Sequence, residues 1–134
     1  MKIKLKCWHK KQKMFFPIIA IGFADGWIEL EPAPDSSFII NIEDVELVQF
    51  TGLYDKNGRE IYESDIITYQ ECIYQVVYME TKACFSLDGV GQYKHFMDIM
   101  ATIHTDSMVS LITEERFTII GNIYENPELL EVNK

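Results

Sequence analysis

Residues Lys2-Ile3-Lys4-Leu5-Lys6-Cys7 alternate strictly between polar and apolar side chains. That period of two predicts a strand with Ile3, Leu5 and Cys7 on one face and the lysines on the other. Lysines on an exposed strand also discourage edge-to-edge association. Residues 15–23 read as a second strand, Asp25-Gly26 as a hairpin turn and residues 27–30 as its return. Residues 31–37 hold two prolines, an aspartate and two serines and are expected to be a loop. Short strands are predicted at residues 38–40 and 45–50. Further on, Asn57-Gly58 predicts a type I′ turn between strands at residues 50–54 and 60–62, because both residues tolerate positive φ. A second turn at Glu63-Ser64-Asp65 leads into strands at residues 66–69, 73–79 and 83–87.

The period changes once. Phe96, Ile99, Met100 and Ile103 follow i, i+3, i+4, i+7, the apolar stripe of a helix placed near residues 92–104. Residues 117–120 return to strand. Asn126-Pro127-Glu128 then supplies a cap, a proline for the first helical position and an acid for the first turn, so a short terminal helix is expected near residues 127–131. The fold class that follows is mainly β, a β-rich α+β protein. Its short antiparallel strands form a bent sheet or an SH3-like barrel, with one moderate and one short helix. The strand spacing of residues 49–91 carries the SH3-like analogy. No internal repeat and no linker appears, so residues 1–134 are read as one unit, with sub-lobes at 1–48 and 49–134 as the natural division.

Length and composition fit that reading. A chain of 134 residues with 48% hydrophobic and 25% charged residues has enough apolar mass for one globular core, which excludes disorder as the main state. Charge is informative once divided. The first 13 residues carry six lysines and no carboxylate, while the remainder sets six basic against all 21 acidic residues, a balance of −15. An acidic body repels phosphate backbones, so nucleic acid is not the expected partner, and the basic N-terminal strand is the one region suited to it. Cys7, Cys72 and Cys84 are odd in number and lack Cys-x-x-Cys spacing, which reads as free thiols in a reducing compartment. The basic N-terminus lacks a signal-peptide pattern, and its apolar run, broken by Pro17, is too short to span a bilayer of about 20 residues. A cytoplasmic protein without membrane contact is expected.

Three blocks resemble one family. Gln49-Phe50-Thr51-Gly52-Leu53-Tyr54-Asp55-Lys56-Asn57-Gly58-Arg59-Glu60-Ile61-Tyr62-Glu63-Ser64-Asp65-Ile66 resembles the central signature of the YopX family of phage and prophage proteins. Ile120-Gly121-Asn122-Ile123-Tyr124-Glu125-Asn126-Pro127-Glu128-Leu129-Leu130 resembles its C-terminal signature, and Ile3-Lys4-Leu5-Lys6-Cys7-Trp8-His9 with Met14 its looser N-terminal block. The family usually has Glu-Gly-Asp where this chain has Glu63-Ser64-Asp65, and a serine argues against a strictly left-handed turn. It usually has an aspartate at the position of His9, so no role of that aspartate transfers. The resemblance implies a phage or prophage setting in a bacterial host cell and a β-rich fold. It implies no catalytic residues, because the family has no established activity.

Candidate chemistry is sparse. His9, His95 and His104 lack metal-site spacing, and no metal or cofactor is expected. Glu60, Glu63 and Asp65 form the one carboxylate cluster suited to acid–base work, but a strand–turn–strand scatters such residues over both faces. No catalytic residue is assigned. Asn57, Gly58, Asn126 and Pro127 are expected to serve turns and caps. The aromatic content points elsewhere. With 8 Phe, 7 Tyr and 2 Trp, not every ring fits inside a domain of this size. Trp8, Trp27, Tyr54, Tyr62 and Tyr124 are therefore candidate interface residues. The function expected is that of a phage or prophage accessory protein, a non-enzymatic, self-associating protein-interaction module with a host or phage protein as a further partner. The alternatives are a nucleic-acid-associated regulator using the N-terminal lysines and, last, an enzyme using Glu60, Glu63 and Asp65.

Overall fold

A computed structural model describes residues 3–69, 71–81, 83–89, 92–95 and 117–131. It is mainly β, and the chain divides into two compact units, Ile3–Gln49 and the residues from Phe50 onward.

The first unit holds β1 (Leu5–His9), β2 (Met14–Phe16), β3 (Ile18–Gly22), β4 (Trp27–Ala33), β5 (Ser36–Asn41), a 3-10 turn (Ile42–Asp44) and the start of β6 (Val45–Tyr54). β1 pairs antiparallel with both β2 and β6, and β3, β4 and β5 form a three-stranded antiparallel meander. The run at residues 15–23 is two strands, because Pro17 has no amide hydrogen to give a ladder. The unit closes on a core of Cys7, Phe16, Ile28, Leu30 and Val45, packed round by Ile18, Ile21, Phe38, Ile40, Ile42 and Leu47. Two expectations are corrected. Ile3 does not share the face of Cys7: it is 79% exposed and precedes β1, and Trp8 and His9 are buried at the strand's far end instead. Residues 31–37 are not a loop. β4 runs on to Ala33 and β5 starts at Ser36, joined by a two-residue turn in which Asp35 takes φ +61°.

The second unit contains the rest of β6, then β7 (Glu60–Tyr62), β8 (Asp65–Tyr69), β9 (Cys72–Met79), β10 (Cys84–Gly89), β11 (Gln92–His95), β12 (Thr118–Asn122) and α1 (Glu128–Glu131). Five strands make one antiparallel sheet in the order β11-β10-β9-β8-β12. Ile61, Ile67, Tyr69, Tyr74, Val76, Leu87 and Phe117 form its core. The helix expected near residues 92–104 is corrected at its start. Residues 92–95 pair with β10 as β11, and the apolar stripe begins only at Phe96; residues 96–104 lie outside the described residues. The short terminal helix forms at Glu128–Glu131.

The Asn57-Gly58 turn is also of another type. Gly58 donates to the Asp55 carbonyl at 3.0 Å and Asp55 donates to the Arg59 carbonyl at 2.8 Å. Positive φ falls on Gly58 (+79°) and not on Asn57. This is a three-residue loop with glycine in the left-handed position, not a two-residue type I′ turn. At the next turn Ser64 takes φ +78°, so the left-handed conformation is present without glycine.

Candidate functional site

The loop at residues 55–59 is built around one carboxylate. Asp55 is fully buried. Its Oδ1 accepts the amides of Asn57 and Arg59, each at 2.9 Å, and its Oδ2 accepts the amide of Ile119 at 3.2 Å. The Arg59 guanidinium lies 3.4 Å from Oδ2 and donates to the Ile119 carbonyl at 2.7 Å. Burial by itself would push the Asp55 carboxyl up. The three amides and the arginine outweigh it and hold the group below the usual carboxylate range. Lys56 donates its amide to the Phe117 carbonyl at 2.8 Å. Both carboxylate oxygens are therefore occupied by the fold, and Asp55 acts as a clasp rather than a reactive group.

The same two sequence blocks meet again at the Glu63-Ser64 turn. Ser64 donates its amide to the Val76 carbonyl at 2.7 Å, and its own carbonyl accepts the Ile123 amide at 3.0 Å. β8 and β12 pair between these points. Past β12, Asn122 Oδ1 accepts the amides of Tyr124 and Glu125, at 3.0 and 2.9 Å. Asn126 donates its amide to the Asn122 carbonyl, and its Oδ1 accepts the Asn122 amide. Its side chain thus closes the turn before α1. The backbone carbonyl of Asn126, not its side chain, receives the Leu129 amide, which corrects the expected cap. Pro127 stands at the entry to the helix, and its carbonyl accepts from Leu130 at 3.2 Å.

The carboxylate cluster comes partly together, around Tyr62. Asp65 Oδ2 accepts the Tyr62 amide at 2.8 Å, and Glu60 Oε1 accepts the Tyr62 hydroxyl at 3.2 Å. The Tyr62 phenol is pushed up to about 12 by its burial and then by the negative charges of Glu60 and Asp65. It stays protonated at neutral pH and is no general base there. Phe50 stacks against both Tyr62 and Tyr54, with ring centroids 5.6 and 5.5 Å apart. Cys7 is buried and its thiol is pushed up to about 11 by desolvation, which suppresses its thiolate. Among the described residues no group of three or more His, Cys, Asp or Glu is placed to hold a metal, and no helix is long and apolar enough to cross a membrane. The side chain of His95 and all of His104 lie outside the described residues.

The candidate interface aromatics divide. Trp8 and Tyr62 are buried, at 7% and 5% exposure, and are corrected to core residues: large rings are the bulk that small sheets must pack on. Trp27, Tyr54 and Tyr124 are half-buried, and the Trp27 indole lies over Gly22, where a Cβ would collide with it. The exposed apolar side chains are others. In the first unit they include Met14, Ile19, Phe23 and Ile39, the last two at 71% and 66% exposure. The signal for Ile39 was present in Phe38-Ile39-Ile40: three successive apolar residues in a strand must leave one facing out.

The basic turn between β1 and β2 is partly neutralised within its own unit. Lys10 lies 3.4 Å from Glu46 and donates to the Glu43 carbonyl at 3.0 Å, while Lys11 and Lys13 are exposed.

These features describe a β-rich protein whose central and C-terminal sequence blocks are tied by hydrogen bonds from buried or half-buried groups. The chain belongs to the YopX family: the family model described as "YopX protein" matches residues 7–131. Its fold is similar to that of protein EF1440 from Enterococcus faecalis, known from a crystal structure, with a TM-score of 0.62, 23% identity, and coverage of 97% of this chain and 99% of that one. No curated protein matches the chain.

Proposed function

We propose that this chain is a non-enzymatic, self-associating protein-interaction module, encoded by a phage or prophage and acting in the cytoplasm of the bacterial host. The single observation that carries the reading is the set of exposed apolar side chains in the unit Ile3–Gln49, Ile19, Phe23 and Ile39 foremost. Exposed apolar surface of this kind is what protein partners cover. The chemistry of the buried and half-buried polar groups fits the same reading. Asp55, Asp65 and Asn122 spend their acceptors on backbone amides and so serve the fold. The test is light scattering at micromolar concentration. A mass above the 15.6 kDa of one chain is expected, and a monomer overturns the proposal.

The exposed Lys11 and Lys13 favour a second reading, a nucleic-acid contact through the N-terminal edge. It predicts retention on DNA or RNA that falls steeply with salt, with a log–log slope no steeper than about −5 for six lysines on duplex DNA. No retention at low salt removes it.

A further inference from the structure

We infer that the outer edge of β5 is the self-association surface, pairing antiparallel with β5 of a second copy about a two-fold axis. The inference rests on the self-association proposed above and names its contact.

β5 is an edge strand. It pairs with β4 alone, and among the described residues nothing donates to or accepts from its other side. Proteins ordinarily blunt such edges with charge, proline or a bulge. β3, at the opposite edge, has a register irregularity between Ile18 and Ala20. From Ser36 to Ile42 there is neither charge nor proline. The β4–β5 register irregularity, between Leu30 and Ala33, falls at the start of β5, so residues 38–41 are the regular part of the open edge and carry neither charge nor proline.

The occupant follows from the side-chain pattern. Phe38 and Ile40 turn inward onto the core of the unit, while Ser37, Ile39 and Asn41 are exposed. Read in either direction, residues 37–41 run polar, apolar, apolar, apolar, polar. An antiparallel pair centred on Ile39 sets Ile39 against its own copy and Phe38 against Ile40. It also sets Ser37, whose hydroxyl donates to Glu29, against Asn41, whose Oδ1 accepts the Glu43 amide and whose Nδ2 can donate to the Ser37 oxygen. A two-fold contact requires this self-complementarity, since each residue must suit its symmetry mate. Charge points the same way. Two chains of net charge −9 repel, and a strand with no charged residue of its own is where they approach at least cost. Strand addition supplies the main-chain bonds, and the Ile39 pair the apolar contact.

The test uses the full chain. Mass is measured by light scattering across a dilution series for wild type, Ile39→Lys, Ile39→Glu and Ile120→Lys, with folding checked by circular dichroism. Ile39 is exposed, so both of its variants are expected to fold. Each alone should return to 15.6 kDa, with dimer affinity at least tenfold weaker. An equimolar mixture of the two should recover twice that mass, because lysine then faces glutamate across the pair. Ile120→Lys, at an exposed apolar position outside the unit Ile3–Gln49, should leave assembly unchanged. Hydrogen exchange of the β5 amides that face away from β4 should be slow in the wild type and fast in Ile39→Lys. An associating wild type whose assembly ignores both Ile39 variants, or in which those β5 amides exchange fast, overturns the β5 assignment and leaves self-association standing. A monomeric wild type removes both.

Discussion

The carboxylate of Asp55 accepts the backbone amide of Ile119 at 3.2 Å, across 64 positions of sequence. That bond and the Arg59 guanidinium on the Ile119 carbonyl tie the central block to the C-terminal block at one residue. Replacing Asp55 by alanine strands three amides and takes the ion-pair partner from the Arg59 guanidinium. A loss of about 3 kcal/mol or more is expected, since each orphaned buried donor costs about 1–3 kcal/mol. Urea unfolding measures it. Asp55→Asn should lose less, because its carboxamide oxygen can still accept from Asn57 and Arg59.

The same carboxylate sets an acid limit. Its folded pKa lies below the unfolded value of about 3.9, so the unfolded chain binds the extra proton first. Stability from Asp55 is complete above that pH and is lost as pH falls through the folded pKa. Melting temperature followed from pH 6 downward should drop for the wild type below about pH 4. Asp55→Asn should have a shallower drop over that range. Equal slopes would show that other carboxylates carry the acid response.

Ser64 sits at φ +78°, a conformation that glycine takes without steric cost. A left-handed residue other than glycine costs about 1–2 kcal/mol. Ser64→Gly relieves that strain and gives back part of it as unfolded-chain entropy. A net stabilisation of about 0.5–1 kcal/mol is expected, seen as a melting point raised by a few degrees.

Gly58 also holds a left-handed position, at φ +79°, with nothing within 4 Å of where a Cβ would stand. The cost of Gly58→Val is therefore conformational and not steric crowding, roughly 1–3 kcal/mol. Asn126→Ala removes the acceptor of the Asn122 amide and should cost about 1 kcal/mol. Thermal denaturation checks both, and an unchanged melting point in either removes the role assigned to it.

Glu60 and Glu63 separate structure from chemistry. Glu60→Gln and Glu63→Gln should leave stability and biological activity nearly unchanged. Glu60→Gln should also bring the Tyr62 phenol down from about 12, because one of the charges that disfavours the phenolate is gone. Absorbance titration of tyrosinate reads this directly. Full stability with lost activity in either glutamate variant would make the acidic turn a working site and bring the enzyme reading forward.

Where a signal was local, the chain announced its structure. Alternation marked most strands, Pro17 and Asp25-Gly26 marked breaks, and Asn126-Pro127 marked the terminal helix, because backbone φ and donor loss belong to single residues. Turn subtype was less legible. Asn57-Gly58 suits a type I′ turn by itself, and the loop took a longer form whose Asp55 carboxylate collects amides from both blocks.

By itself the sequence determined the β-rich class, the family, the division of charge and the positions of most turns, all of which follow from residue type and spacing. Only the tertiary structure decided which rings are core and which are surface. Trp8 and Tyr62 look like interface residues by type and are buried, whereas Ile39 looks like core and is exposed. Burial is a property of what packs across from a residue, and those partners come from other strands, as Phe15 does for Trp8 and Phe50 for Tyr62. For the same reason the purpose of Asp55 was invisible: the Ile119 amide it binds is placed beside it only when β12 joins β8.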